Sequence, residues 1–397
     1  MAGDALRIAL FSDSTLPILN GVAVSIDALV REMRNAGHSV HVYTAAFPGY
    51  RDPDPNTFRF PAFETPWSKG YPVATPPYYG MLHRFRKHAY DLIHTHTPGP
   101  IGLVGLRWAQ SHEIPIVSTY HTLYDRYAHY IPLFPRRYVR HKIAKHTNFY
   151  YNRVDHVITP SAAALRWLRR HSVRTPASVI PTGAPPRAMH DRAETRSKLG
   201  IPAQQRMLLY VGRLAREKNL GLLFDMASLA FDQDPSLRLW LVGDGPYRGE
   251  ATTMARRAGV GDRVHFVGEV ARNEVDPYYA AADLFVFSSI TETQGLVVQE
   301  AGTYGLPAVV VGGGGASAGV VDGQNGFVVR NEPREMAERV LEIFADEPLH
   351  ARLSEGAVRL ARQYGSEAMA EKVVAVYHRA MEARSRERVR ENDIVLA

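Results

Sequence analysis

Two glutamates eight positions apart, Glu292 and Glu300 in TETQGLVVQE, flank Gly295 and a short apolar run. Paired carboxylates do acid–base chemistry, bind metals, or accept hydrogen bonds from sugar hydroxyls. Upstream, VGRLAREKN follows an apolar run and carries Arg213 and Lys218 just before a helical pattern starting near Asn219. Two cations at a strand-to-helix turn suit a pyrophosphate, because they offset its charge while the helix N-terminus adds N–H donors. Solvated surface cations beside a helix start would leave the same trace. Gly243 and Gly245 in VGDGP, and the glycines of VGGGGASAG, end later apolar runs. They permit close approach of backbone to a ligand, or serve the turns alone. Neither stretch is a G-x-G-x-x-G at the first strand-to-helix turn, which disfavours a dinucleotide dehydrogenase. His121 closes IPIVSTYH, where a structural role is the commoner reading of a lone histidine. HTHT puts His94 and His96 on one face of a strand without further carboxylates in reach, and the D-x-D of Asp52-Pro53-Asp54, in the Pro-rich RDPDPN, reads as a turn.

The elements that must position these residues alternate. LRIALF, HSVHVYT, DLIHTH, IPIVSTY, DHVITP and ASVIP read as buried strands, separated by helical patterns such as VAVSIDALVREMRNAG with Gly37 as its stop. After PTGAPPRAMHDRAETRSKLGIPAQQ the pattern restarts with MLLYVG, LRLWLVG, RVHFVG, DLFVFS and PAVVVGG. This is βαβ grammar twice over, hence two doubly wound parallel sheets, with a boundary at about 181–205 and a helical tail from about 333. A ligand would sit at the strand C-terminal ends, where the two sheets meet. TETQ is then the loop after DLFVFSS, with Glu292 in it and Glu300 about one and a half turns into the next helix. The free N–H groups near Gly295 and Leu296 are available to phosphate or sugar oxygens.

Composition bounds the rest. With 397 residues, two domains are the expectation. Hydrophobic content of 45% with 22% charged residues is that of a globular protein, and no apolar run approaches a membrane span. The start, MAGDALRIALFSDS, reads as a first strand and not as a signal peptide, and the lack of cysteine removes disulfides and thiolate sites; a cytoplasmic location is expected. Residues 1–180 hold 21 Lys and Arg against 11 Asp and Glu, and the remainder 26 against 29. The basic character is densest in residues 124–153, where seven Lys/Arg and three His interleave with eight Tyr/Phe and the single acid Asp125. Nucleic acid and an anionic membrane are both conceivable partners, but no helix-turn-helix, zinc or RNA-recognition pattern accompanies the charge, so nucleic acid is not expected.

In this order, VGRLAREKN, VGDGP and FVFSSITETQGLVVQEAGTYGLPAVVV resemble the nucleotide-sugar domain of glycosyltransferase family 4, retaining enzymes of the GT-B fold, whose hallmark is the Glu-x7-Glu of Glu292 and Glu300. LFSDSTLPILNGVAVSI, LIHTHTPGPIGLVGL and STYHTLYDRYAHY resemble its acceptor domain. Among family members, TETQGL, TYHTLY and the basic aromatic stretch are most similar to bacterial diacylglycerol glucosyltransferases. The resemblance implies two Rossmann-like domains facing a central cleft: an acceptor domain at 1–185, a nucleotide-sugar domain at 186–364, and a helical segment, 365–397, crossing back to the first. It implies that Arg213 and Lys218 hold the donor diphosphate, with Gly243, Gly295 and Leu296 at the same ligand, that Glu300 holds the ribose, and that Glu292 holds the transferred sugar. Gly21, in the loop before the first helix, would approach the diphosphate, and His121 would face the reacting sugar.

Both glutamates being assigned to hydroxyls, a carboxylate nucleophile is lacking, and same-face attack by the acceptor is the expected mechanism, without metal or cofactor. The donor is expected to be UDP-glucose and the acceptor a lipid such as diacylglycerol, met at the inner face of a membrane that segment 124–153 contacts peripherally. The alternatives are a GDP-mannose-dependent mannosyltransferase acting on a phosphoinositide or other acceptor, and a nucleotide-sugar-binding protein without turnover. Where relatives often carry a glutamate in the glycine-rich loop after PAVVV, this sequence has Ala318 or Gly319, and where they have a glycine pair it has Asn20-Gly21.

Overall fold

The computed structural model describes residues 5–18, 20–64, 72–75, 78–124, 134–183 and 187–395, with side chains to residue 386 except that of Asn273. The chain forms two compact units, Met1–Gly183 with Ser366–Ala397, and Ala184–Gly365.

In the first unit, β1 (Arg7–Ser12), β2 (Ser39–Ala45) and β3 (Thr57–Phe60) precede a small antiparallel pair, β4 (Ala62–Phe63) with β5 (Val73–Ala74). Then come β6 (Leu92–Thr95), β7 (Ile116–Thr119), β8 (His156–Thr159) and β9 (Ala177–Val179). Seven of these strands make one parallel sheet in the order β3-β2-β1-β6-β7-β8-β9. Its helices are α1 (Gly21–Asn35), α2 (Tyr79–Arg86), α3 (Pro100–Ser111), α4 (Arg136–Tyr151) and α5 (Ala162–Arg170). Alternation along β1 divides the core: Ile8 and Leu10 face one side with Ile26 and Leu29 of α1, while Ala9 and Phe11 face the other with Trp108 of α3. Gly37, at φ 88°, ends α1 as the sequence predicts.

The second unit holds β10 (Arg206–Val211), β11 (Leu237–Val242), β12 (Val264–Gly268), β13 (Leu284–Phe287), β14 (Ala308–Val311) and β15 (Gly326–Val329), all parallel, in the order β12-β11-β10-β13-β14-β15. Helices α6 (Arg192–Lys198), α7 (Leu220–Gln233), α8 (Arg248–Arg257), α9 (Asp276–Ala281), α10 (Leu296–Thr303), α11 (Pro333–Ala345) and α12 (Glu347–Gln363) accompany it. One apolar cluster runs from Ile201 to Leu353.

The last helix, α13 (Ser366–Val395), belongs to the first unit. Met369, Val373, Val376, Tyr377 and Ala380, one face of the helix, pack against Leu6, Ile8 and Met33 in one cluster, and the Ser366 hydroxyl donates to Glu32 at 2.7 Å. Strands β3 and β15 escaped the sequence pattern. Both lie at a sheet edge, where TFRF of β3 interrupts its apolar residues with Arg59 and GFVV of β15 directly follows the polar stretch DGQN.

Candidate donor site and its partner residues

In an open parallel sheet the place where strand order reverses leaves two neighbouring loops diverging to opposite faces, and ligands bind there. In the second unit this place lies between β10 and β13, paired through Leu208 with Leu284 and Leu209 with Phe285. The loop after β10 carries Arg213 and closes in a 3-10 turn, Arg216–Lys218, before Asn219 in the left-handed region starts α7. The loop after β13 is residues 288–295, which hold Glu292.

The two loops are sewn together. Lys218 Nζ pairs with Glu292 Oε1, and the Ser289 hydroxyl donates to the same oxygen at 3.3 Å. The Ser288 hydroxyl donates to the Lys218 carbonyl at 2.8 Å, and Thr291 Oγ1 to the Glu217 carbonyl at 3.4 Å. Lys218 and Glu292 keep 13% and 21% of their side-chain surface exposed, so a ligand can reach them. Burial alone would lower the Lys218 ammonium, but Glu292 and then Tyr210 outweigh it and hold the group protonated above its usual range. Arg213 is half exposed, its guanidinium 2.7 Å from Glu217.

The glycines hold this corner by crowding. Gly295 has φ 73° at the start of α10, and a Cβ there would lie 2.7 Å from the Ala316 Cα. One on Gly315 would lie 1.9 Å from the Thr293 carbonyl, and Gly315 N–H donates to the Glu292 carbonyl at 2.7 Å. The glycine-rich loop after β14 is therefore the bed on which the Glu292 loop lies. Gly243, at φ 129°, would place a Cβ 2.3 Å from the Gly212 carbonyl; close backbone packing explains this glycine without a ligand. Leu296 opens α10, so its N–H belongs to the first turn, which finds no acceptor inside the helix.

Glu300, 6% exposed, sits in a second network. Its Oε1 pairs with Arg187 and lies 3.3 Å from the Arg272 guanidinium, and the Tyr279 hydroxyl donates to Oε2 at 2.9 Å. Arg187 also pairs with Asp276. Burial, then Glu300, drives the Tyr279 phenol far above its usual range, so it stays a donor. The sequence reading missed Arg187, Arg272 and Tyr279: they lie in segments with no periodicity that points at a carboxylate, Arg187 in the polar stretch between the two halves.

The first unit has the same reversal between β1 and β6. Gly21 is the first residue of α1 and not part of the preceding loop: the Asn20 side chain caps that helix, accepting from Ala23 N–H at 2.9 Å, and draws Gly21 into its first turn. His121 follows β7, with Nε2 2.9 Å from Nδ1 of His96, and burial pushes it down to about 4. The carboxylate of Asp13, after β1, accepts from Ile101 N–H at 2.9 Å and from the Thr97 hydroxyl. Asp52 and Asp54 are in ion pairs with Arg59 and Arg34, the latter at 2.9 Å. No group of three or more His, Asp or Glu among the described residues is arranged to hold a metal ion. Helix α4 exposes Arg137, Arg140, Lys145, Tyr138 and Phe149; residues 125–133 of the basic aromatic segment lie outside the described residues. No helix among the described residues is long and apolar enough to cross a membrane.

Residues 19–187 match the family model Glycosyltransferase Family 4, and residues 191–359 match that of Glycosyl transferases group 1. The chain is 32% identical over 321 residues to an alpha-monoglucosyldiacylglycerol synthase of Streptococcus pneumoniae, covering 77% of this chain and 71% of the relative. It is 29% identical over 388 residues to the enzyme of that name in Acholeplasma laidlawii, covering 94% and 96%. A D-inositol 3-phosphate glycosyltransferase of Corynebacterium diphtheriae is 28% identical, with 94% of each chain covered. Among solved structures, sucrose-phosphate synthase from Thermosynechococcus elongatus superposes with TM-score 0.77 at 25% identity, covering 95% of this chain and all of that one. Anabaena HepE, in complex with UDP and glucose, shares the fold at TM-score 0.71 and 22% identity, covering 94% and 99%.

Proposed function

Because the chain belongs to glycosyltransferase family 4, with the GT-B fold of two Rossmann-like domains, we propose that it moves glucose from UDP-glucose to a lipid acceptor such as diacylglycerol, with retention at the anomeric carbon. The observation that carries the donor site is the Lys218–Glu292 pair at the order reversal of the second sheet, with Arg213 beside it. Arg213, Lys218 and the first-turn N–H groups of α10, Leu296 among them, take the diphosphate. Glu292 exchanges its lysine partner for sugar hydroxyls once the phosphates neutralise that lysine. Glu300 accepts a ribose hydroxyl, for which Oε2 has a lone pair left beside the Tyr279 bond. From the first unit, Gly21 and the start of α1 add donors to the diphosphate, and neutral His121 meets the reacting sugar.

The step balances without an enzyme nucleophile or a metal. The acceptor oxygen bonds to the anomeric carbon on the face from which the diphosphate departs, the carbon–oxygen bond to the β-phosphate breaks, and the hydroxyl proton passes to a departing phosphate oxygen. Charge grows on the diphosphate, and each preorganised donor aimed at it contributes about 3 kcal/mol to the rate.

The acceptor reading rests on the two relatives named as alpha-monoglucosyldiacylglycerol synthases and on exposed cations and aromatics together on α4. Each cation close to an anionic leaflet is worth about 1 kcal/mol, so Arg137, Arg140 and Lys145 suffice for reversible docking at the cytoplasmic face. Reversing these three charges is expected to abolish sedimentation with anionic vesicles; sedimentation equal to wild type would remove the docking role. A second reading, a GDP-mannose-dependent mannosyltransferase acting on a phosphoinositide or another acceptor, draws support for an inositol phosphate acceptor from the relatives named D-inositol 3-phosphate glycosyltransferase. Incubation with UDP- and GDP-sugars, with diacylglycerol in anionic vesicles or with inositol phosphate in solution, decides. Glucolipid from UDP-glucose is expected. Transfer only to the soluble acceptor would establish the second reading, and binding without turnover would leave a nucleotide-sugar-binding protein.

A further inference from the structure

His94 and His96 have no place in the proposed reaction, yet they lie fully buried beside a residue that does. His94 is satisfied on both nitrogens, Nδ1 at 2.7 Å from the Tyr377 hydroxyl of α13 and Nε2 at 2.8 Å from Thr119 Oγ1. His96 packs on it with ring centroids 4.1 Å apart and planes tilted by 39°, and lies side by side and nearly coplanar with His121, centroids 5.2 Å and planes 19° apart. Its Nδ1 is 2.9 Å from His121 Nε2, whereas its own Nε2 is buried without a hydrogen-bond partner among the described residues.

One proton must lie between the two imidazoles. Were it carried by His121 Nε2, neutral His96 would carry its own on Nε2, leaving a buried N–H with no acceptor. With the proton on His96 Nδ1, the orphan is a bare lone pair. Orphaned buried N–H groups are the rarer of the two, because a donor withdrawn from water costs more than an underused acceptor. The proton therefore lies on His96 Nδ1, which donates to His121 Nε2, and neutral His121 must carry its proton on Nδ1.

We propose that His96 is a positioning residue for transfer: its Nδ1–H fixes His121 as the Nδ1–H tautomer and holds the ring plane, with His94, anchored between Thr119 and Tyr377, as the backing on which His96 rests. This rests on the reading that His121 meets the reacting sugar. Burial keeps all three imidazoles uncharged at neutral pH, His94 pushed down to about 3, so His121 is held as a neutral ring of fixed tautomer and not as a cation.

The test compares His96→Asn, whose amide nitrogen reproduces the Nδ1–H, with His96→Leu, which fills similar space without a donor. His96→Leu is expected to lower kcat about tenfold, the size of one orienting hydrogen bond, with KM for the sugar nucleotide unchanged and kcat largely restored by His96→Asn. In the His121→Ala background His96→Leu is expected to cost nothing further. Nitrogen-15 histidine spectra of the wild-type protein should show His121 Nε2 as an unprotonated acceptor, and that signature should disappear in His96→Leu. Equal loss in the Asn and Leu variants, additive loss on top of His121→Ala, or an Nε2–H signature for His121 in wild type would overturn the proposal. Unimpaired transfer by His121→Ala alone would instead overturn the sugar-facing role of His121, so the two failures are distinguishable.

Discussion

Two sheets with the same strand order equip the same topological position in opposite ways. Between β10 and β13 the loops carry cations and carboxylates that pair across the corner, Lys218 with Glu292 and Arg213 with Glu217, and Lys218, Glu292 and Arg213 keep part of their surface in solvent. Between β1 and β6 lie a half-buried Asp13, fixed by Thr97 and by α3, and imidazoles that burial keeps neutral. Charge held near the surface can be exchanged for a ligand's charge; groups sealed inside can only orient something. The topology supplies the place and the loops decide its chemistry; in the function proposed above, the second corner holds an anionic donor and the first directs a neutral sugar.

That contrast can be broken from the charged side first. Lys218→Ala is expected to cost the largest factor, on the order of a hundredfold or more in transfer, with Glu292→Ala next, provided thermal melting shows each variant folded. Full transfer by either folded variant would erase the distinction between the two corners.

A smaller effect is expected where the second unit also buries charge. Arg187→Met leaves Asp276 without its arginine and Glu300 with Arg272 alone, so we expect a loss of about 3 kcal/mol in unfolding free energy together with a higher KM for the sugar nucleotide. Unchanged melting and KM would make this network incidental.

Gly295→Ala forces a Cβ onto φ 73° and against Ala316, which should cost about 1–3 kcal/mol and displace the start of α10. Raised KM with modest destabilisation is the expected outcome in kinetics and melting.

Acid gives the mildest and most general test. In the first unit His38, His41, His94, His96, His121 and His156 are all lowered, chiefly by burial, against His265 alone among the described residues of the second. A lowered folded value means that the unfolded chain binds more protons, so stability is lost as pH falls from the unfolded histidine value of 6.5 towards the folded values, about 4 for His121 and His156. Asp13, raised by burial, opposes this with a single carboxyl, and Lys218, raised, loses its contribution only at alkaline pH. Hydrogen exchange between pH 7 and 5, corrected for its intrinsic rate, should show β1, β6 and β7 losing protection before β10 and β13; the reverse order would contradict the burial argument.

Much of this was legible in the sequence because it lies in runs. The buried parallel strands are continuous apolar stretches, the restart after residue 205 marks the second sheet, and Arg213, Lys218 and Glu292 fall at strand ends where a reader of βαβ units looks. What escaped depends on contacts between distant residues. Arg187 and Glu300 are more than a hundred positions apart, and nothing around Arg187 marks it as buried. Gly21 was placed in a loop because helix starts are set by caps, here the Asn20 side chain, which apolar spacing does not record. His94 and His96 were visible as a same-face pair, but only the fold brings His121 and Tyr377 to them.

The division of labour at the donor site is the central claim, and calorimetric titration of UDP, a ligand with the diphosphate and ribose but without the transferred hexose, tests it most directly. Lys218→Ala and Glu300→Ala should weaken UDP about tenfold or more, while Glu292→Ala, which frees Lys218 for phosphate, should bind UDP as wild type does or more tightly. If Glu292→Ala loses UDP as Lys218→Ala does, or if Lys218→Ala binds it as wild type does, the assignment of these side chains to sugar and diphosphate is wrong.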